Sequence, residues 1–147
     1  MDYNEQNRSK VQYLDRFKQP ILFEGMIFQK ISPTDIDCFN EYHGRFWLFM
    51  EVKQGNAPFG GGQRKSLERT VDQIQKSGAD AVLFIARHNT PTPNPVTLKT
   101  ESICAEAYFK GQWYQIKPKT AGDAWEYAMN WAKDWEIYEA YERKLIG

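Results

Sequence analysis

The chain has 147 residues, which fits one domain with a single core of ordinary size. Hydrophobic residues make up 41% of it and aromatic residues 15%, a composition that excludes a disordered chain. Basic and acidic side chains each number 19, so the formal net charge is zero. This balance argues against binding to nucleic acid by bulk charge alone, and leaves open a neutral enzyme with a local basic patch.

Cysteine usage and hydropathy indicate the compartment. Cys38 and Cys104 do not form a CxxC pair, which argues against a zinc site. A disulfide is the alternative to two reduced, buried thiols, which we expect in a cytosolic protein. Residues 1–10 are polar and have no apolar signal core, and no stretch approaches the roughly eighteen apolar residues of a membrane span. We therefore expect a soluble, cytoplasmic protein without a membrane partner.

The N-terminal part predicts a helix that leads into a first strand. After the polar residues 1–10, apolar residues from Val11 to Phe17 have helical spacing, which Pro20 interrupts. Ile21 to Phe28 is mostly apolar and predicts a helix end running into a strand, with a break at Gly25.

A hairpin follows. Asp35 to Tyr42 and Phe46 to Lys53 have the composition of strands, and His43-Gly44-Arg45 lies between them as a tight turn. The second strand is apolar on both faces until its end, which predicts a central strand covered on both sides.

The middle of the chain predicts a parallel crossover. A Gly-rich loop precedes a helix from about Gln63 to Lys76, and Ala79 to Ala86 indicates another buried strand. A helix between two strands of one sheet makes them parallel neighbours.

The C-terminal third predicts a hairpin and a long helix. Thr97 to Phe109 and Gln112 to Lys117 form the hairpin, which we expect at the periphery, and Thr120 caps a helix over 120–147. The helix carries five large aromatic residues whose spacing favours core packing over base stacking: Trp125, Trp131, Trp135, Tyr138 and Tyr141. The expected fold is one α/β domain over 1–147, with a mixed central β-sheet flanked by helices on both faces.

Two acids and a lysine, Asp37, Glu51 and Lys53, occur at the end of the predicted hairpin that lies away from the turn. Glu51 and Lys53 share a face because they are two residues apart on one strand. Carboxylates suit Mg²⁺ or Mn²⁺, and such a cation can neutralise a phosphate and activate a water molecule. A neighbouring lysine can orient that water or stabilise developing charge.

The turn length decides whether Asp37 joins this pair. A three-residue loop at 43–45 places Asp37 opposite Glu51 and Asp35 opposite Lys53, with all four groups on one face. A two-residue loop at His43-Gly44 places Asp37 opposite Met50 instead, and the cluster then needs a bulge.

The segment from Glu24 to Asp72 resembles the PD-(D/E)XK nuclease superfamily, and in particular its small phage-associated members. An Asp at the start of one core strand corresponds to Asp37, with Asp35 as its rival, and the Glu-x-Lys of the next strand corresponds to Glu51 and Lys53. The literal Pro-Asp pair is missing, since Thr34 separates Pro33 from Asp35.

The resemblance implies further site residues and an activity. A Gln at the start of the following helix corresponds to Gln63, and a Glu of the N-terminal helix corresponds to Glu24. Implied are a restriction-endonuclease-like αβββαβ core and an Mg²⁺- or Mn²⁺-dependent deoxyribonuclease, with endonucleolytic cleavage expected. Asp37, Glu51, Lys53 and Gln63 would be catalytic, and Asp37, Glu51, Asp35 and Glu24 would supply metal ligands. Junction-cutting relatives act as dimers, so a homodimer is one expected assembly.

The Gly-rich loop offers a phosphate contact. Gly60-Gly61-Gly62-Gln63-Arg64-Lys65-Ser66 lacks the Gly-Lys-Ser ending of a nucleotide-binding P-loop. Backbone amides at Gly62 and the side chains of Arg64 and Lys65 can still contact a DNA phosphate at the helix N-terminus. Surface solvation explains the two basic residues equally well.

A second hypothesis is a non-catalytic module that keeps this fold to bind DNA or a protein partner. Neutral charge and the doubled aspartate both leave it open. His88, at the end of a buried strand, is a further candidate, although a lone histidine there is more often structural.

Overall fold

A computed structural model of the chain describes residues 21–146. The chain separates into two compact units, Met1–Thr34 and Asp35–Gly147. The helical pattern predicted from Val11 to Phe17 lies outside the described residues. The expectation of a single domain over 1–147 stays a prediction. No helix in the described part is both long and apolar enough to cross a bilayer.

The second unit contains five strands and three helices. They are, in chain order, β1 (Cys38–Tyr42), β2 (Phe46–Gln54), α1 (Gly61–Lys76), β3 (Asp80–His88), α2 (Leu98–Glu101), β4 (Ser102–Phe109), β5 (Gln112–Thr120) and α3 (Ala121–Ile146). The strands form one sheet in the order β1-β2-β3-β4-β5. β2 and β3 are parallel, and the other neighbours are antiparallel. The predicted mixed α/β sheet and its parallel crossover are therefore confirmed.

Alternating side chains of the sheet form two cores. Leu48 and Met50 of β2 face α3, whose contact surface is a row of small residues: Ala121, Ala124, Ala128 and Ala132. Phe49 of β2 faces the other side and packs with Leu67 and Val71 of α1. Helices thus cover both faces, as predicted for a sheet whose central strands are apolar on both sides.

The hairpin register follows from the β1–β2 turn. Tyr42 pairs with Phe46 and Cys38 pairs with Met50, so three residues separate the strands. His43 and Gly44 both have positive φ, 51° and 67°, and the amide of Arg45 donates to the carbonyl of Tyr42 at 3.0 Å. The three-residue loop is confirmed, and the two-residue alternative is wrong.

Several expected elements differ from the structure. Ile21 to Phe28 contains neither the helix end nor the strand that was expected, only a turn and a single bridge from Phe28 to Ile31. Its apolar side chains are exposed, so apolar burial does not stabilise a helix or a strand in this segment. Between residues 21 and 60 only β1 and β2 form strands. The third strand of the expected αβββαβ order is therefore not found among the described residues.

The C-terminal hairpin also differs from its prediction. Its first strand begins at Ser102 rather than Thr97, because the Glu101 carboxylate accepts the Thr97 amide at 2.8 Å and closes the helical turn α2. The hairpin lies at one edge of the sheet: β4 pairs with β3 and buries Tyr108, while β5 is the edge strand.

Most of the aromatic residues of α3 are not core residues. Of the five, Trp131 packs on Phe46 and Phe109, whereas the other four are 40–60% exposed. The alanine row occupies the core side of the helix, so the expectation of core packing is wrong for these four.

Candidate active site

β2 carries two of the predicted site residues on the face covered by α1. Glu51 and Lys53 follow Phe49 in the same alternation, so all three point toward that helix. Glu51 is only 1% exposed, and Lys53 is half-buried. A buried carboxylate at the end of a central strand is unusual and makes this face a candidate functional site.

Asp37 lies directly before β1 and beside Glu51. The register of the hairpin, continued by one residue, places the two acids opposite each other. The Asp37 carboxylate accepts the backbone amide of Val52, with 2.8 Å between N and Oδ2. It also lies close enough to Glu51 for its charge to act on that carboxyl group. Both acids therefore project to the same face of the sheet.

The surroundings raise the pKa of Glu51 to about 7. Burial is the largest cause, followed by the charge of Asp37. The Lys53 ammonium acts in the opposite direction but does not outweigh them. Without a cation, Glu51 therefore keeps its proton at a pH well above the range in which an exposed glutamate loses it.

Gln63 connects the acid to the lysine. Its Nε2 donates to Glu51 Oε2 at 3.0 Å, and its Oε1 accepts from Lys53 Nζ at 3.4 Å. The two contacts define the orientation of the amide, because a carboxylate only accepts and an ammonium only donates. Gly61 has φ +66° where α1 begins, a conformation that glycine adopts without strain, and Gln63 follows in the first turn.

The loop between β2 and α1 is held by Arg87 of β3. Its Nη1 donates to the carbonyl oxygens of Gly55 at 3.0 Å and Ala57 at 2.7 Å. Arg87 is also the parallel partner of Lys53 in the sheet. Sequence reasoning missed it, although a cation at the end of a buried strand next to the Glu-x-Lys strand was an available signal.

The remaining predicted residues occupy different places. Asp35 is exposed and lies three residues before β1 begins, while Glu24 belongs to the first unit, Met1–Thr34. Gly62 and Lys65 are exposed at the start of α1, and Arg64 forms an ion pair with Glu68, with 3.2 Å between Nε and Oε1.

His88 has a structural contact. Its Nδ1 accepts the backbone amide of Thr90 at 3.2 Å, and its carbonyl accepts the Gly55 amide at 2.7 Å. This arrangement supports the loop next to the site and agrees with the structural interpretation of a lone histidine.

The acid pair has the chemistry to hold one divalent cation. Among residues 21–146, Glu51 Oε1 is buried and has no hydrogen-bond partner, and Asp37 brings a second carboxylate to it. A buried, unpartnered oxygen is costly unless a ligand satisfies it. No group of three or more His, Cys, Asp or Glu side chains in the described part could surround a metal ion. The metal-binding roles expected for Asp35 and Glu24 stay predictions. Asp37 and Glu51 fit a cation that keeps water molecules as its other ligands.

No family model, no curated protein and no solved structure matches the chain.

Proposed function

We propose that the protein is a metal-dependent nuclease that hydrolyses DNA phosphodiester bonds by endonucleolytic cleavage, with Mg²⁺ or Mn²⁺ as cofactor. One observation carries the proposal: Asp37 and Glu51 lie on the same sheet face as Lys53, with Gln63 between acid and amine. The Oε1 atom of Glu51 is buried and has no hydrogen-bond partner among residues 21–146. Two oxygen ligands for a cation and a neighbouring amine are protein groups that can promote hydrolysis of a phosphodiester.

Each residue has a distinct role in this proposal. Asp37 and Glu51 would hold the cation. When bound, the cation would neutralise charge on the phosphate and lower the pKa of a water molecule. Lys53 orients the attacking water or stabilises the charge that develops on the phosphate oxygens. Gln63 holds the Glu51 carboxylate and the Lys53 ammonium in place through its two hydrogen bonds.

The start of α1 supports a phosphate nearby. The helix has 16 residues, with glycine at its N-cap and no acidic residue in its first turn. No side chain caps its first backbone amides, and these amides together with the positive end of the helix dipole favour an anion. Gln63 belongs to the same turn and contacts Glu51, so a phosphate bound there is next to the acid pair.

Cleavage of plasmid DNA with Mg²⁺ or Mn²⁺ tests the proposal. Lys53→Met keeps the apolar stem and removes the charge, and we expect the rate to fall by about 10²- to 10⁴-fold. The matched control is Lys110→Met, an exposed lysine in the β4–β5 turn, which should retain the wild-type rate. Equal cleavage by wild type and Lys53→Met rejects the assignment.

Calorimetric titration with Mn²⁺ separates hydrolysis from simple binding. The nuclease proposal expects a binding site that Asp37→Asn weakens, because the amide removes one of the two anionic ligands. A chain that binds DNA but shows no Mn²⁺ site sensitive to Asp37→Asn is a binding module instead.

A further inference from the structure

A strip of aromatic side chains leads from Lys53 across the sheet. Lys53 Nζ is 5.8 Å from the centroid of the Phe59 ring, and that ring meets Trp113 edge-on with 6.2 Å between the centroids. Both rings pack at the margin of the core beneath α1, so they lie on the same face as Glu51. Both are half-buried, which leaves part of each ring accessible.

Arg64 completes this surface. Its guanidinium carbon lies 4.9 Å from the centroid of Trp113, and its Nε contacts the Glu68 carboxylate at 3.2 Å. Glu68 offsets the charge of the guanidinium, while 43% of the Arg64 side chain stays exposed. A flat, charge-compensated guanidinium on an indole is better suited to stack against a planar ligand than to attract a phosphate.

Trp113 also carries an unsatisfied donor. Its indole Nε1 is buried without a hydrogen-bond partner among residues 21–146. A buried N–H in this state costs free energy, and a ligand that brings an acceptor would recover it. Nucleobases offer carbonyl and ring-nitrogen acceptors together with a planar face.

We propose that the surface formed by Phe59, Arg64 and Trp113 binds unpaired nucleobases of the DNA strand whose phosphate lies at the acid pair. The inference rests on the proposed function and narrows its substrate to DNA with a single-stranded segment beside the scissile bond. Bases inside a duplex stack on each other and have no free face for an aromatic side chain, whereas unpaired bases do. The strip begins at Lys53, so the first base it meets is close to the reacting phosphate.

Binding is measured without hydrolysis, by fluorescence anisotropy of labelled DNA with the Glu51→Gln protein in EDTA. The probes are a 12-nucleotide oligothymidine and a blunt 12-base-pair duplex at the same ionic strength. We expect the single strand to bind more tightly and Trp113→Ala to weaken it by about fivefold or more, with little effect on the duplex. The matched control is Trp125→Ala, which removes an exposed tryptophan of α3 that hydrogen-bonds to Asn40.

A second pair of variants tests the same surface in case the Trp113→Ala protein does not fold. Arg64→Ala should weaken single-strand binding selectively, and Arg69→Ala, an exposed arginine on the same helix, should not. Equal affinity of the parent protein for the single strand and the duplex overturns the proposal. So does a loss of affinity in the Trp113 and Arg64 variants that is equal for the two probes.

Cleavage assays with the wild-type protein separate the two proposals. Metal-dependent cleavage together with equal binding of both probes rejects the aromatic surface and retains the nuclease. Selective single-strand binding that depends on Trp113, without cleavage of any DNA in Mg²⁺ or Mn²⁺, rejects the nuclease and retains the surface as a base-binding site.

Discussion

Replacing Glu51 by glutamine should make the metal-free protein more stable at alkaline pH. Glu51 is almost fully buried, and one of its oxygens has no hydrogen-bond partner in the described part of the chain. Glutamine keeps the shape of the side chain and an oxygen that accepts from Gln63 Nε2, but it carries no charge. The substitution therefore removes the cost of ionising a buried acid beside Asp37.

The raised pKa of Glu51 sets the magnitude and the sign of the stability difference between wild type and Glu51→Gln. It is raised from 4.5 to about 7 in the folded protein, and each unit corresponds to about 1.4 kcal/mol. The folded state holds this proton more tightly than the unfolded state does. Below pH 4.5 Glu51 is protonated in both states, so it does not lower the free energy of unfolding. Its cost grows as the pH rises and reaches about 3 kcal/mol above pH 7. Wild type and Glu51→Gln should thus be similarly stable at pH 4.5 and differ by up to that amount at pH 8.

Urea unfolding in EDTA between pH 4.5 and 8 measures the difference between the two proteins. Other titrating groups are common to both and largely cancel in the comparison. A variant that is less stable than wild type at pH 8, or a difference that does not change with pH, would refute the reasoning.

A divalent cation should narrow the difference in stability between wild type and Glu51→Gln at alkaline pH. Mn²⁺ at about 100 times its dissociation constant adds about 2.7 kcal/mol to a protein that binds it only when folded. Wild type should gain this stabilisation at pH 8, and Glu51→Gln should gain less because one anionic ligand is lost. Equal stabilisation of both proteins by Mn²⁺ would contradict a site at Glu51 while leaving the pH dependence untouched.

Three further predictions concern the scaffold. Gly122→Ala should lower the free energy of unfolding by about 1–3 kcal/mol, because the new methyl group would lie 2.8 Å from the backbone oxygen of Lys99. Thermal unfolding measures this loss, and an unchanged midpoint would show that α2 can move away from the methyl group. Thr120→Ala should cost about 1 kcal/mol, since the Thr120 hydroxyl caps α3 by accepting the Asp123 amide at 3.1 Å, and restoration by Thr120→Ser in urea titrations would identify the cap as the cause. Arg87→Gln should cost about 2 kcal/mol through lost hydrogen bonds to the β2–α1 loop, and amide hydrogen exchange should quicken in that loop but not in the β4–β5 turn.

Much of the fold was predictable from local pattern. β2 is apolar on both faces, which predicts a central strand, and a helix between β2 and β3 predicts their parallel pairing. The cap at Thr120 was predictable from residue type alone. The prediction failed over Ile21 to Phe28, where apolar composition indicated regular structure but the side chains are exposed.

The sequence by itself determined which side chains share a strand face, because alternation puts Glu51 and Lys53 on one side whatever surrounds them. It left Asp37 dependent on the turn length, and only the folded hairpin placed that acid beside Glu51. The raised pKa of Glu51 and the contacts of Gln63, Arg87 and Trp113 were decided by tertiary structure alone. These features depend on burial and on how a helix and distant strands pack over the same face, and neither is encoded in the spacing of neighbouring residues.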